Sequence, residues 1–280
     1  MTGMVQLPDE LALPEGFVPE SPPDPPVTPK DAATVLLLRD GTAGPEVFLQ
    51  RRVKGMPFAG GMTVFPGGGV DPRDADTSVA WNGPSPQWWA RQLGCTEELA
   101  RALVCAAVRE TFEESGVLLA GADPGTVVSD TAAFADVRAA LVSRELSLAG
   151  FLAGAGLVLR SDLLRPWSNW VTPEAEPRRY DTRFFVAALP EGQRADAATS
   201  EASDAYWRTP RAALDDWRQG RCGLLPPTWV TLTEIAECGS VAEALSTERV
   251  LTKVVPKLAR RDGRWHVLMP GEPGHDGEGQ

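Results

Sequence analysis

The stretch Arg109-Glu110-Thr111-Phe112-Glu113-Glu114-Ser115-Gly116-Val117 constrains this chain more than any other part of it. At about 100° per residue, a helix puts Glu110, Glu113 and Glu114 on one face, with Val104, Val108 and Phe112 opposite. The apolar side can pack on a sheet while the other gathers three negative charges. Left alone, each like-charge pair weakens a helix by roughly 0.2–0.5 kcal/mol. A hard divalent cation such as Mg²⁺, which takes oxygen ligands from a few carboxylates and from phosphates, turns that repulsion into attraction. Arg109, four residues before Glu113, is placed to fix one carboxylate through a charge-assisted bond. A solvated acidic face with ordinary ion pairs would carry the same string, so the helix alone leaves both readings open. Its expected limits are the first-turn acids Glu97 and Glu98 and the capping Gly116.

Elsewhere the pattern alternates between strands and helices. Residues 1–30 hold Pro14, Pro19, Pro22, Pro23, Pro25, Pro26 and Pro29 and read as a disordered arm that adds no core. Ala33–Leu38 and Val47–Gln50 read as a hairpin turning at Asp40-Gly41. Further strands are expected at Thr182–Leu189, Ala205–Trp207, Val250–Val255 and Trp265–Met269, and helices at Ala133–Leu146, Pro210–Trp217 and Pro227–Glu237. That order predicts an α/β fold in which helices cover a sheet. One domain is expected over residues 31–269, followed by a solvated tail, 270–280.

Composition narrows the chemistry. A net charge of −11 opposes docking on nucleic acid or an anionic membrane. The longest apolar stretch, Leu148–Leu159, is too short and too glycine-broken to span a bilayer, and no targeting signal is evident. Cys95, Cys105, Cys222 and Cys238 lack paired spacing and read as free thiols of a cytoplasmic protein. The two histidines are His266, read as a half-buried strand residue, and His275, in the tail; they leave little for a Ser-His-Asp hydrolase or a two-histidine zinc helix.

Upstream of the acidic helix, Phe65-Pro66-Gly67-Gly68-Gly69-Val70-Asp71 resembles the start of the Nudix box, and Arg109–Val117 resembles its second half, with Thr111 in place of an aliphatic residue. Asp74 stands where the box has Glu. The gap from Asp74 to Arg109 is 34 residues instead of seven, an insertion at about 75–98 that contains Trp81, Trp88 and Trp89. An interrupted box of this kind is similar to the Nudix subfamily that includes the peroxisomal coenzyme A diphosphatases of animals. The likeness extends to residues 58–68, 167–173 and 179–185.

The resemblance implies a Nudix-type α/β/α sandwich with a mixed central β-sheet. It also implies Mg²⁺- or Mn²⁺-dependent hydrolysis of a diphosphate linkage in a small nucleotide substrate, possible substrates being coenzyme A and acyl-coenzyme A. NADH or ADP-ribose is an alternative substrate, and a non-catalytic nucleotide-binding regulator an alternative function. By the same likeness Glu110, Glu113 and Glu114 hold metal, with Glu110 as ligand or base, Arg109 orients a carboxylate, and a glycine-loop carbonyl, assigned to Gly68, reaches the metal. Glu201 is the first candidate for a base outside the helix, ahead of Glu174 and Glu176. Arg51, Arg52 and Arg179 are candidate phosphate contacts. The insertion's tryptophans either stack a base or pack on the body.

Overall fold

A computed structural model describes residues 7–8, 11, 13, 21–56, 58–199, 201–261 and 264–275. In chain order come β1 (Lys30–Gly41), β2 (Gly44–Arg52), β3 (Met62–Val64), β4 (Gly67–Gly69), β5 (Trp81–Asn82), α1 (Pro86–Leu93), α2 (Glu97–Ser115) and β6 (Ala120–Gly121). Then follow α3 (Ala135–Val142), α4 (Leu148–Ala155), β7 (Val158–Arg160), β8 (Leu164–Val171), β9 (Tyr180–Ala188) and β10 (Ala202–Arg208). The last are α5 (Pro210–Arg218), β11 (Gly223–Leu224), α6 (Pro226–Ile235), α7 (Val241–Ser246), β12 (Lys253–Val254), β13 (Lys257–Arg261) and β14 (Arg264–Leu268).

Strand alternation builds the layers. On β1, Ala33, Val35 and Leu37 enter a core with Leu103, Val104, Ala107 and Val108 of α2, while Leu36 and Leu38 enter a second core with residues of α5, α6 and α7. On β9, Phe185 and Ala187 join the first core, Phe184 and Val186 the second. The sheet runs β11-β3-β2-β1-β9-β8-β12, with β10 on β2 and β4 on β1. β1 is antiparallel to β2 and β4 but parallel to β9, so the sheet is mixed and lies between two helical layers, as the resemblance implies.

Several expectations change. Gly67–Gly69 is a short strand paired with Ala32–Thr34 instead of an open loop. The helix expected over Ala133–Leu146 is cut to Ala135–Val142 plus a preceding turn, and Arg144 takes a positive φ of 62° beyond it. The 250–255 strand shrinks to Lys253–Val254. β8 was not expected: Pro166 sits inside it and the register shifts between Pro166 and Ser168, which hides its alternation.

The arm is not inert. Leu11 is 5% exposed in the second core, and Val27 O accepts from Arg179 Nη1 at 2.8 Å. Residues 21–29 are described without helix or strand, and most of 1–20 lies outside the described residues. In the tail, His275 is buried with Nε2 2.9 Å from Val255 O, against the expectation of a solvated segment; residues 276–280 lie outside the described residues. His266 is half-buried in β14, as expected.

The insertion packs. Trp89 of α1 is fully buried edge-on to Phe185, ring centroids 5.6 Å apart, and Trp88 lies against Trp89 at 4.9 Å. Trp81 lies under Arg101. The tryptophans thus serve the core, and α1 extends the α2 layer.

Candidate active site

The site begins where β4 and α2 touch. Val35 N donates to Pro66 O at 2.9 Å and Val70 N to Asp31 O at 3.0 Å, so alternate residues of this segment face β1. Gly68, opposite Ala33, is one of them. Gly67 turns the other way, its N–H donating to Glu114 Oε2 at 2.9 Å. This parity turns the Gly67 N–H to a carboxylate of α2, whereas Gly68, the glycine expected to reach a metal, pairs with β1. Gly68 contributes by lacking a side chain: a Cβ there would stand 2.5 Å from Glu110 Oε1.

α2 starts at the capping hydroxyl of Thr96 and ends at Gly116, whose φ of 73° is the left-handed cap expected of glycine. Thr111, where the resembled pattern is aliphatic, is fully buried and satisfies its hydroxyl by donating to Ala107 O at 2.7 Å. Gln50 Nε2 donates to Glu114 O at 2.9 Å and ties the end of α2 to β2.

Arg109 is the hub. Its Nε and Nη2 donate to both oxygens of Asp74 at 3.0 and 2.9 Å, and Nη2 also to Gly69 O at 3.0 Å. Nη1 donates to Glu110 Oε1 at 2.7 Å and Glu113 Oε2 at 3.2 Å. Asp74, 2% exposed, also accepts from Asp71 N at 2.8 Å in a capping box that fixes the turn Pro72–Ala75. The two halves of the interrupted motif, separated by 34 residues in sequence, are thus closed by one bidentate ion pair, and the insertion between them packs on the body through Trp89.

Glu110, Glu113 and Glu114 line a cavity of about 680 Å³ together with Gly67–Gly69, Arg52 and Glu201. Burial pushes Glu110 up to about 7 against the pull of Arg109, and burial with the charge of Glu110 pushes Glu114 well above the carboxylate range. Burial also raises Glu113, again opposed by Arg109. Arg109 answers two of the three crowded carboxylates and Glu114 has only the Gly67 N–H, and that excess negative charge is what a hard divalent cation relieves. Among the described residues no three acidic, Cys or His side chains converge as a ready cation cage. Arg109 Nη1 takes up Glu110 and Glu113 instead.

The other candidates divide. Glu201, 49% exposed, lines the same cavity and is held by Arg52 Nη2 at 3.0 Å. Arg51 bonds Arg221 O and does not line the cavity; Arg179 is buried, donating to Thr172 O and Val27 O. Glu174 is exposed and Glu176 buried, neither on the cavity wall. Missed by sequence reasoning were Arg178 and Lys30, which line it, and Leu13, which brings the arm to its wall. The one available signal for Arg178 was its adjacency to Arg179. No helix among the described residues is long and apolar enough to cross a membrane.

Known proteins agree with this geometry. The model of the NUDT19 Nudix domain matches residues 90–235. The putative nudix hydrolase 7 of Caenorhabditis elegans is 27% identical over 208 residues, covering 74% of this chain and 61% of the relative. The acyl-coenzyme A diphosphatase NUDT19 of Xenopus laevis is 24% identical over 242 residues, covering 73% of this chain and 63% of the relative. This chain therefore spans somewhat over three fifths of the length of these two relatives. The crystal structure of a NUDIX hydrolase from Alicyclobacillus acidocaldarius superposes with a TM-score of 0.67 at 30% identity, covering 80% of this chain and 98% of that one. With more than half its length matched by the family model and a buried glutamate helix closed onto a glycine strand, this chain belongs to the Nudix hydrolase family.

Proposed function

We propose that this chain hydrolyses a diphosphate linkage in a nucleoside diphosphate derivative, with Mg²⁺ or Mn²⁺ as cofactor and coenzyme A or an acyl-coenzyme A as substrate. The observation that carries the reading is the set of three carboxylates from one face of α2, Glu114 buried and Glu110 and Glu113 half-buried, lining a single cavity beside backbone glycines. The name of the Xenopus relative supports the substrate.

Glu110, Glu113 and Glu114 would hold the metal, which when bound neutralises phosphate charge and makes the attacking water more acidic. The remaining work falls to the chain. Arg109 orients Glu110 and Glu113, and the Gly67 N–H orients Glu114. Glu201, at the open side and tied to Arg52, accepts the proton of the attacking water. The water oxygen bonds to one phosphorus as the bridging P–O bond breaks, leaving two phosphate esters; for coenzyme A these are 3′,5′-ADP and 4′-phosphopantetheine.

The test incubates the protein with coenzyme A, an acyl-coenzyme A, NADH, ADP-ribose and a diadenosine polyphosphate, each with Mg²⁺, Mn²⁺ or EDTA, and identifies products by mass. Release of 3′,5′-ADP and 4′-phosphopantetheine only with metal is expected. Cleavage of another member alone replaces the substrate, and cleavage of none overturns the catalytic reading in favour of a nucleotide-binding regulator.

A further inference from the structure

Among the described residues six basic side chains line the cavity, in a chain whose net charge is −11. Four of them answer carboxylates. Arg109 meets Glu110 and Glu113, Arg52 meets Glu201, Arg73 meets Asp71, and Arg144 is near enough to Glu113 to favour its ionised form. Lys30 and Arg178 are exposed, and among the described residues neither makes an ion pair.

Strand geometry brings these two together. Lys30, Ala32 and Thr34, alternate residues of β1, face the cavity. So do Arg178, Tyr180, Thr182 and Phe184, on β9 and just before it. The strands are parallel with Lys30 opposite Tyr180, and Lys30 N donates to Arg179 O at 2.9 Å, which sets Lys30 and Arg178 on the same rim. Intervening positions point elsewhere. Asp31 and Asp181 both pair with Arg183, and Asp181 also with Lys253, so the nearby carboxylates are committed. Tyr180 stands between the two cations, edge-on to Phe58 with ring centroids 5.3 Å apart, and gives the rim an aromatic surface.

Thr34 pairs with Gly67, the residue bonded to Glu114, and Lys30 lies four residues back along β1. At about 3.3 Å per residue the rim is roughly 13 Å from the glutamate end. An anion held at the rim is therefore a different group from the diphosphate held at the glutamates, though one extended ligand can carry both.

We propose that Lys30 and Arg178 form an anion subsite that recognises a phosphate monoester borne by the nucleoside, separate from the linkage that is cut. This rests on the nucleotide reading above and deepens it, since coenzyme A has such a phosphate on its ribose whereas NADH and ADP-ribose have none. Both are specificity residues; neither reaches the reacting atoms.

Calorimetric titration of the full chain in EDTA, with adenosine 3′,5′-bisphosphate and with adenosine 5′-monophosphate, tests it. The bisphosphate should bind about tenfold tighter, the lower end for a charge-assisted contact, with the advantage shrinking as salt rises. The double variant K30M/R178M should bind both ligands alike, and Arg178→Glu should favour the monophosphate. Equal affinities in the parent, no binding of the bisphosphate at millimolar concentration, or an advantage that survives in the double variant overturns the subsite. The readout needs neither metal nor turnover. Failure to cleave coenzyme A would therefore sink the proposed reaction and leave the subsite standing, and equal binding would do the reverse.

Discussion

At the inner end of the cavity the charges are answered by neighbours, whereas at the rim two cations face solvent. Asp74, Arg109, Glu110 and Glu113 interlock through bonds of 2.7 to 3.2 Å, and Gly67 closes on Glu114. Lys30 and Arg178 have no such partners among the described residues. The inner end is therefore preorganised: its geometry exists before any ligand arrives, and folding and chemistry depend on the same bonds. The rim's electrostatics are realised only when an anion docks. Breaking the Asp74–Arg109 pair inside should disturb the protein itself, and removing a charge at the rim should disturb recognition alone.

The largest effect expected is on turnover. Glu113→Gln or Glu114→Gln should lower the rate on whichever substrate the incubation test yields by at least ~10²-fold, since each keeps shape and removes charge aimed at the reacting group. Folding should not suffer. In EDTA the thermal midpoint of Glu114→Gln should equal or exceed that of the parent, because a buried charge pressed by Glu110 is gone. Undiminished hydrolysis by either variant would remove that residue from the catalytic set.

Next comes the hub. Arg109→Met leaves Asp74 buried without its bidentate partner, and stripping one member of such a pair costs about 3–5 kcal/mol. Urea unfolding in EDTA should show that loss, while K30M/R178M should stay within about 0.5 kcal/mol of the parent, as exposed substitutions do. Equal destabilisation by the two would break the contrast between inner end and rim.

The inner end was the more legible part of the sequence. α2 carries its own period, cap and first-turn charges, so its limits and its glutamate face follow from local rules. β1 and β2 were legible for the same reason. The partnership of Asp74 with Arg109 was only half legible: the sequence shows the interruption, but closing it takes a turn and a buried ion pair that no periodicity reveals. The rim was illegible because of parity. Arg178 and Arg179 are adjacent, and at the bend that leads into β9 one lines the cavity while the other turns inward to Thr172 O and Val27 O; without the register of β9 nothing distinguishes them. The same limit left Gly67 and Gly68 undistinguished, since only the register shows which of them turns its N–H to Glu114. The arm's share of the core was missed because Leu11 stands in a proline-rich stretch whose sequence shows no helical or strand period to mark what it covers.

That arm supplies a smaller effect. Leu11 is 5% exposed and packs in the second core, so Leu11→Ala should cost about 2 kcal/mol, the low end for a leucine held by a short peripheral segment. Removing residues 1–28 should cost at least as much and open the cavity wall at Leu13. A deletion with unchanged unfolding would show that the arm's packing contributes nothing.

A last effect, which vanishes at acidic pH, concerns Glu176, in the connection between β8 and β9 that also brings Arg178 to the rim. Its side chain is buried with Oε1 unpartnered, and burial lifts it from an ordinary 4.5 to about 7. The folded protein therefore keeps a proton that the unfolded chain gives up. Below about pH 4.5 both states are protonated and the group costs nothing; stability falls as pH rises from there to about 7 and is level above it. Glu176→Gln should match the parent at acidic pH and exceed it by roughly 1–3 kcal/mol at pH 8, a rise of a few degrees in thermal midpoint. Because Glu110 and Glu114 are also raised, the parent's own pH slope is a composite. The difference between variant and parent isolates Glu176, and a difference that does not change with pH would show that its carboxyl reaches solvent in the folded protein.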